Sequence, residues 1–249
     1  MNFNKFFLII FLLLFNLLYA NTGTQTITSG NISITADKKD LKFAQKIIDE
    51  MIFDIDFFQR KIGNYPDLPV KIVIACDEED YLTKANTKSD IIEFSQAFYS
   101  RRNKTIYIKE PTEHRSFVKL RKILLHEYIH HFVWFYWKNP PLWFNEGMAV
   151  YFSNDLSLDR EFNFIKNYIL GNSLSLEQMK YRYPGNRIEW ESFYAKSAMA
   201  VKYLFTKREK EFYKLWDNAL PSRDFNKIFL KSFLFTPQDF SKLFEEYCK

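Results

Sequence analysis

The chain is short of cysteine, glycine and histidine. Among 249 residues there are two Cys, six Gly and four His. Two cysteines cannot build a disulfide framework, and neither Cys76 nor Cys248 stands in a metal-ligand spacing. An exported chain could still join them; the simpler expectation is a buried thiol at the end of a strand and a free thiol near the tail. There is no internal repeat and no low-complexity linker, so residues 21–249 are expected to form one sizeable domain with room for a small second lobe. Strong charge of one sign is also missing. The formal net charge is +5, and Lys5 is the only charge among the first twenty residues, which leaves +4 for the remainder. Basic pairs such as Lys38-Lys39 and Arg101-Arg102 are interspersed with acids, which reads as a solvated surface and argues against a nucleic-acid partner.

No apolar run reaches the roughly 20 residues that span a bilayer. The stretch Phe6 to Leu18, apolar apart from Asn16, follows a short positive start ending at Lys5 and leads to Leu18-Tyr19-Ala20. This is the pattern of a secretory signal peptide. We expect residues 1–20 to be removed on export, placing the protein in the periplasm or outside the cell. Leu18 is an imperfect residue for a cleavage site, so an uncleaved N-terminal membrane anchor is the alternative. No cysteine stands near Ala20, which argues against a lipidated anchor.

What the chain does have is aromatic side chains, 27 Phe and 15 Tyr among them, and an unusual concentration of its few histidines. His126, His130 and His131 fall within six residues, inside the apolar stretch from Ile123 to Trp137. Residues 126–130 read His-Glu-Tyr-Ile-His. Histidines at i and i+4 project from one helix face, where two imidazoles can grip one Zn²⁺. Glu127 stands between them, placed to take a proton from a metal-bound water. Sixteen positions after His130 comes Glu146, a candidate third ligand that leaves a fourth position open. Burying His and Glu in so apolar a helix requires a compensating partner, and a metal is the most economical one. His131, at i+5 from His126, rotates off that face, and His114 is expected at the surface.

These residues carry a family resemblance. His126-Glu127-Tyr128-Ile129-His130, followed by Pro141-Leu142-Trp143-Phe144-Asn145-Glu146-Gly147-Met148-Ala149, resembles the gluzincin metallopeptidases, most closely the bacterial peptidase MA-like domains. The strong match covers about thirty residues. The resemblance implies one zinc per chain held by His126, His130 and Glu146, with Glu127 as general base. It implies a small sheet ahead of a two-helix core. It further implies that the strand Ser95-Gln96-Ala97-Phe98-Tyr99 lines the cleft and pairs with substrate backbone, and that Tyr194, in Glu191-Ser192-Phe193-Tyr194-Ala195-Lys196-Ser197, donates a hydrogen bond to the oxyanion. The sequence departs from the family in two places. No Gly-x-Met-x-Asn-type segment precedes the helix, which weighs against an aminopeptidase. Val150 is apolar where some gluzincins place an acidic partner for the ligands.

Pattern along the chain predicts strands over 31–35, 70–75, 93–100 and 105–109, the last two joined by a turn at 101–104. Helices are predicted over 37–62, 77–84 and 113–137, the last ended by Asn139-Pro140-Pro141, with a separate helix from just after them to about Asn154, then 158–170, 190–207, 208–219, 222–233 and 237–247. The order gives an α+β fold: a small sheet, the helix bearing the histidines, then a mainly helical C-terminal part. The expected function is that of a secreted or periplasmic zinc metalloendopeptidase acting on peptide or protein substrates. Its rival is a catalytically inactive zinc-containing binding or assembly domain of the cell envelope. Retention of Glu127 weighs against that rival, because a structural metal site needs no base there.

Overall fold

The computed structural model describes residues 23–85, 95–114, 116–156, 158–171, 173–184, 187–220 and 223–248. The targeting segment expected over 1–20 lies outside them. Among the described residues no helix is long and apolar enough to cross a membrane.

The fold is α+β, a five-stranded mixed sheet followed by helices. The strands are β1 (Thr24–Ser29), β2 (Ile32–Asp37), β3 (Val70–Ile74), β4 (Ala97–Ser100) and β5 (Thr105–Ile108), in the spatial order β1-β2-β3-β5-β4. β3 is central and is parallel to both neighbours. β1 was not anticipated; it forms a hairpin with β2 across Gly30, whose φ of 54° suits the tight turn. The alternating residues Ile32, Ile34 and Ala36 of β2, and Val70, Ile72 and Ile74 of β3, are buried on one face. Helix α1 (Leu41–Ile62) covers that face with Ala44, Ile47, Ile48 and Met51, all buried at helical spacing. Gly63, at φ 71°, ends it.

A short helix α2 (Glu78–Ala85) leads toward β4. The long helix α3 spans Phe117–Tyr136. It begins four residues later than predicted: residues 111–113 form a separate 3₁₀ turn, and Ser116 caps α3 by accepting from the Lys119 amide at 3.4 Å. Arg121 ties α3 to α1 through Glu50 and Asp54, each 2.7 Å away. Pro140 and Pro141 then force a short connection into α4 (Leu142–Phe152), so α3 and α4 pack as neighbours. The remainder is helical: α5 (Leu158–Ile169), α6 (Arg187–Lys207), α7 (Glu209–Asp217), α8 (Phe225–Phe233) and α9 (Pro237–Tyr247).

The aromatic surplus forms the core between these helices. Phe132 and Tyr136 of α3, Phe144 of α4, Trp216 of α7 and Phe225 of α8 make a continuous chain of ring contacts with centroids 4.7–6.1 Å apart. Each buried Phe is worth roughly 1.5–3 kcal/mol relative to exposure. The closest approach is between α4 and α6. A Cβ placed on Gly147 would stand 2.2 Å from the Ser197 carbonyl oxygen, so only glycine lets the two backbones meet. Both cysteines are free thiols. Cys76 is exposed just past β3 and not buried as anticipated, because the chain turns outward there and its backbone N–H is held by Asp80 at 3.0 Å. His114 is half-buried rather than at the surface: it stacks near Phe43 and its Nε2–H donates to the Lys109 carbonyl at 3.0 Å.

Candidate metal centre

The i, i+4 spacing on α3 brings His126 and His130 edge to face, ring centroids 4.7 Å apart. Glu146 reaches them from α4. Its Oε2 lies 3.7 Å from His126 Nε2 and 3.6 Å from His130 Nε2. Donor atoms around a tetrahedral zinc at 2.0–2.2 Å stand about 3.3–3.6 Å from one another. Both distances from Glu146 are close to the spacing that such an ion would impose. Glu146 is only 2 % exposed, and its basic neighbours within ion-pair distance, among the described residues, are the two imidazoles. A buried carboxylate facing two imidazoles is a donor set that suits a divalent cation. Burial pushes the Glu146 carboxyl up, but His130, His126 and the Tyr183 hydroxyl together hold it below the usual carboxylate range.

Glu127 also brings an oxygen within 4.8 Å of the two histidine nitrogens, so it belongs to the same cluster. Two facts set it apart from Glu146. Its Oε2 accepts the Tyr99 backbone N–H at 2.7 Å, which turns that oxygen toward the sheet. Burial, the largest influence, pushes its pKa up to about 7; the charge of Glu146 adds to the rise, while His130 and the Tyr99 amide oppose it. A carboxyl that titrates near neutrality exchanges protons readily at physiological pH.

The Tyr99 amide is available because β4 is the edge of the sheet. Gln96 accepts from the Lys109 amide at 3.1 Å, and the register pairs Ala97 with Ile108 and Tyr99 with Ile106. In an antiparallel ladder alternate residues bond to the partner strand, so the backbone groups of Ala97 and Tyr99 face outward, toward α3. Tyr99 is fixed at its other end as well. Its hydroxyl lies 2.9 Å from His131 Nδ1, and His131 Nε2 lies 2.9 Å from the Pro69 carbonyl. A carbonyl only accepts, so Nε2 carries the proton and Nδ1 accepts from Tyr99. Burial lowers the pKa of His131, which keeps the ring neutral in that tautomer. His131 thus points off the metal face, as its i+5 position predicts, and anchors the edge strand instead.

A cavity of about 270 Å³ opens beside this centre, lined by Ser95, Gln96, Ala97, His126, Glu127 and Tyr194 among others. The strand expected over 93–100 begins only at Ala97, with Ser95 and Gln96 in the irregular lead into it, and 93–94 lie outside the described residues. The structure nevertheless brings Ser95, Gln96 and Ala97, one imidazole, the raised carboxyl and the anticipated tyrosine to one opening. Ser95 is tethered there by Tyr81, whose hydroxyl lies 2.7 Å from its Oγ. Val150 and Asp155 line the same cavity. His130 Nδ1 is buried without a partner among the described residues.

One member of the site was missed by sequence reasoning. The Tyr183 hydroxyl donates to Glu146 Oε1 at 2.5 Å. Burial of that hydroxyl and the Glu146 charge hold its pKa well above the ordinary tyrosine value, so it remains a donor. Tyr183 lies 37 residues from Glu146, in a segment without helical or strand periodicity, and only the aromatic cluster it forms with Trp190 and Phe193 hints at a fixed position.

A scan of protein-family models and a comparison with characterised proteins both return no match for this chain.

Proposed function

We propose that this protein is an exported zinc-dependent endopeptidase of gluzincin type, acting on peptide or protein substrates. The observation that carries the proposal is the division of labour between two glutamates at one opening. Glu146 turns its oxygen to the paired imidazoles, whereas Glu127 is protonatable near neutrality and has one oxygen turned by a backbone amide of the edge strand. A zinc ion held by His126, His130 and Glu146 would supply Lewis acidity and an acidified water. The chain's own residues do the rest. The outward backbone groups of Ala97 pair with an extended substrate, as sheet edges do with peptides. Glu127 accepts a proton during attack and returns it to the leaving amine, while its Oε2 stays on the Tyr99 amide. Tyr194, which lines the same cavity, supplies a hydroxyl for the developing oxyanion.

The test is metal analysis of the purified 21–249 chain together with cleavage of a peptide library. One zinc per chain and hydrolysis are expected. Glu127→Gln should retain the fold and the metal while hydrolysis slows about 10²–10⁴-fold. His126→Ala should lose zinc and His131→Ala should keep it. A chain carrying full zinc that cleaves nothing in a broad library would transfer the site to the binding-domain reading.

A further inference from the structure

The carboxylate of Glu146 is used at both ends. Oε2 faces the imidazoles at 3.6 and 3.7 Å, and Oε1 receives the Tyr183 hydroxyl at 2.5 Å. Tyr183 is itself held. Its ring stacks on Trp190 with centroids 5.3 Å apart and planes 18° apart, and it packs against Phe193 at 5.6 Å. Trp190 is locked in turn, because its Nε1–H donates to the Pro184 carbonyl at 2.8 Å, next in sequence to Tyr183. The hydroxyl is therefore delivered by a rigid aromatic clamp rather than by a free rotor.

We infer that Tyr183 is a positioning residue for the metal site, which engages Oε1 of Glu146 so that the carboxylate offers the metal a single oxygen. The inference rests on the zinc reading above. Its chemical consequence is a coordination number. A carboxylate free to rotate can bind through both oxygens and fill the position that a hydrolytic site must keep open. One donor hydrogen bond to the outer oxygen removes that option and orients the remaining lone pair. Partners of this kind fix ligand orientation in metal sites generally, and their loss costs about 10–100-fold in metal affinity. Among the described residues His130 Nδ1 is buried without a partner, whereas Glu146 receives its hydrogen bond from Tyr183.

The experiment compares wild type with Tyr183→Phe, which removes one hydroxyl and keeps the ring in the clamp. Zinc dissociation constants are measured by competition with a chromogenic chelator, and unfolding of the metal-free proteins is followed by circular dichroism. We expect zinc binding to weaken about 10–100-fold with the metal-free unfolding midpoint unchanged. The Co²⁺-substituted variant should show weaker visible d–d absorption than wild type, as a second carboxylate oxygen raises the coordination number. Trp190→Leu, which loosens the clamp and keeps the hydroxyl, should shift affinity and spectrum in the same direction by less; it decides the matter should Tyr183→Phe fail to fold. Zinc affinity within twofold of wild type and an unaltered cobalt spectrum would overturn the inference, and a fall in hydrolysis alone would assign the hydroxyl to the substrate. If the wild-type chain takes up no zinc, the metal reading itself fails and this inference with it.

Discussion

Replacing Glu127 by glutamine should make the metal-free protein more stable at alkaline pH, and the gain should vanish in acid. The Glu127 carboxyl rises from 4.5 to about 7 in the folded chain, chiefly through burial. A raised carboxyl pKa means that the folded state holds a proton that the unfolded state has released, between about pH 4.5 and 7. The group's contribution is therefore neutral below 4.5, and stability is lost as pH rises through 7. The displacement corresponds to about 3 kcal/mol at pH 8, an upper limit because the side chain keeps one side on the cavity. Glutamine is close in size, accepts the Tyr99 N–H as the carboxylate does, and carries no charge to desolvate. Glu146 and His131, whose pKa values are lowered, make the opposite contribution, with stability lost as pH falls, and they do so in both proteins. The difference between the two proteins reports Glu127 together with its coupling to Glu146 and His130. Urea denaturation of chelator-treated protein at half-unit steps from pH 4.5 to 8 measures it. Wild-type and Glu127→Gln stability curves that run parallel across this range would refute the reasoning, whatever the enzymology shows.

Two further predictions test the framework around the site. Gly147→Ala should destabilise the chain by about 1–3 kcal/mol despite alanine's better helix propensity, because its methyl would meet the Ser197 carbonyl and Val201 Cγ2 at 2.2 and 2.7 Å; a denaturation midpoint that rises instead would mean that α4 and α6 are not in this contact. Tyr194→Phe should lower peptide hydrolysis about 10²–10³-fold with zinc content unchanged, read as kcat on a cleaved library peptide, and an unaltered kcat would reduce Tyr194 to packing.

The parts of this fold visible in the sequence are those set by local periodicity. α9 spans the predicted 237–247, because its Thr236 cap, Pro237 and Asp239 form a local start signal that needs nothing from elsewhere. The His126–His130 pair and the rotation of His131 off their face follow from helix geometry alone. The start of α3 was misplaced because Pro111 opens a helical turn that ends at Glu113; the true cap, Ser116, makes a weaker local signal than the proline. β1 escaped because Thr24–Ser29 is largely exposed and its stability comes from pairing with β2. Tyr183 escaped for a related reason: its hydrogen bond to Glu146 depends on how α6 packs against α4, and no spacing in the chain encodes that contact.

The same distinction explains how two glutamates nineteen positions apart come to differ. Glu127 is placed by its own helix, one residue round from the metal face, so that it turns toward the β4 edge. It finds there one amide donor and an environment that resists charge, which is what a proton acceptor working near neutrality requires. Glu146 is placed by a second helix and meets two imidazoles and a tyrosine hydroxyl, which favour its charge, as a metal ligand requires. Identical side chains pushed in opposite directions within one cluster are hard to account for by packing alone, since packing would be served equally by two neutral amides. The proposed mechanism needs one carboxylate that stays charged and another that stays exchangeable, and the environments of Glu146 and Glu127 match these two conditions respectively.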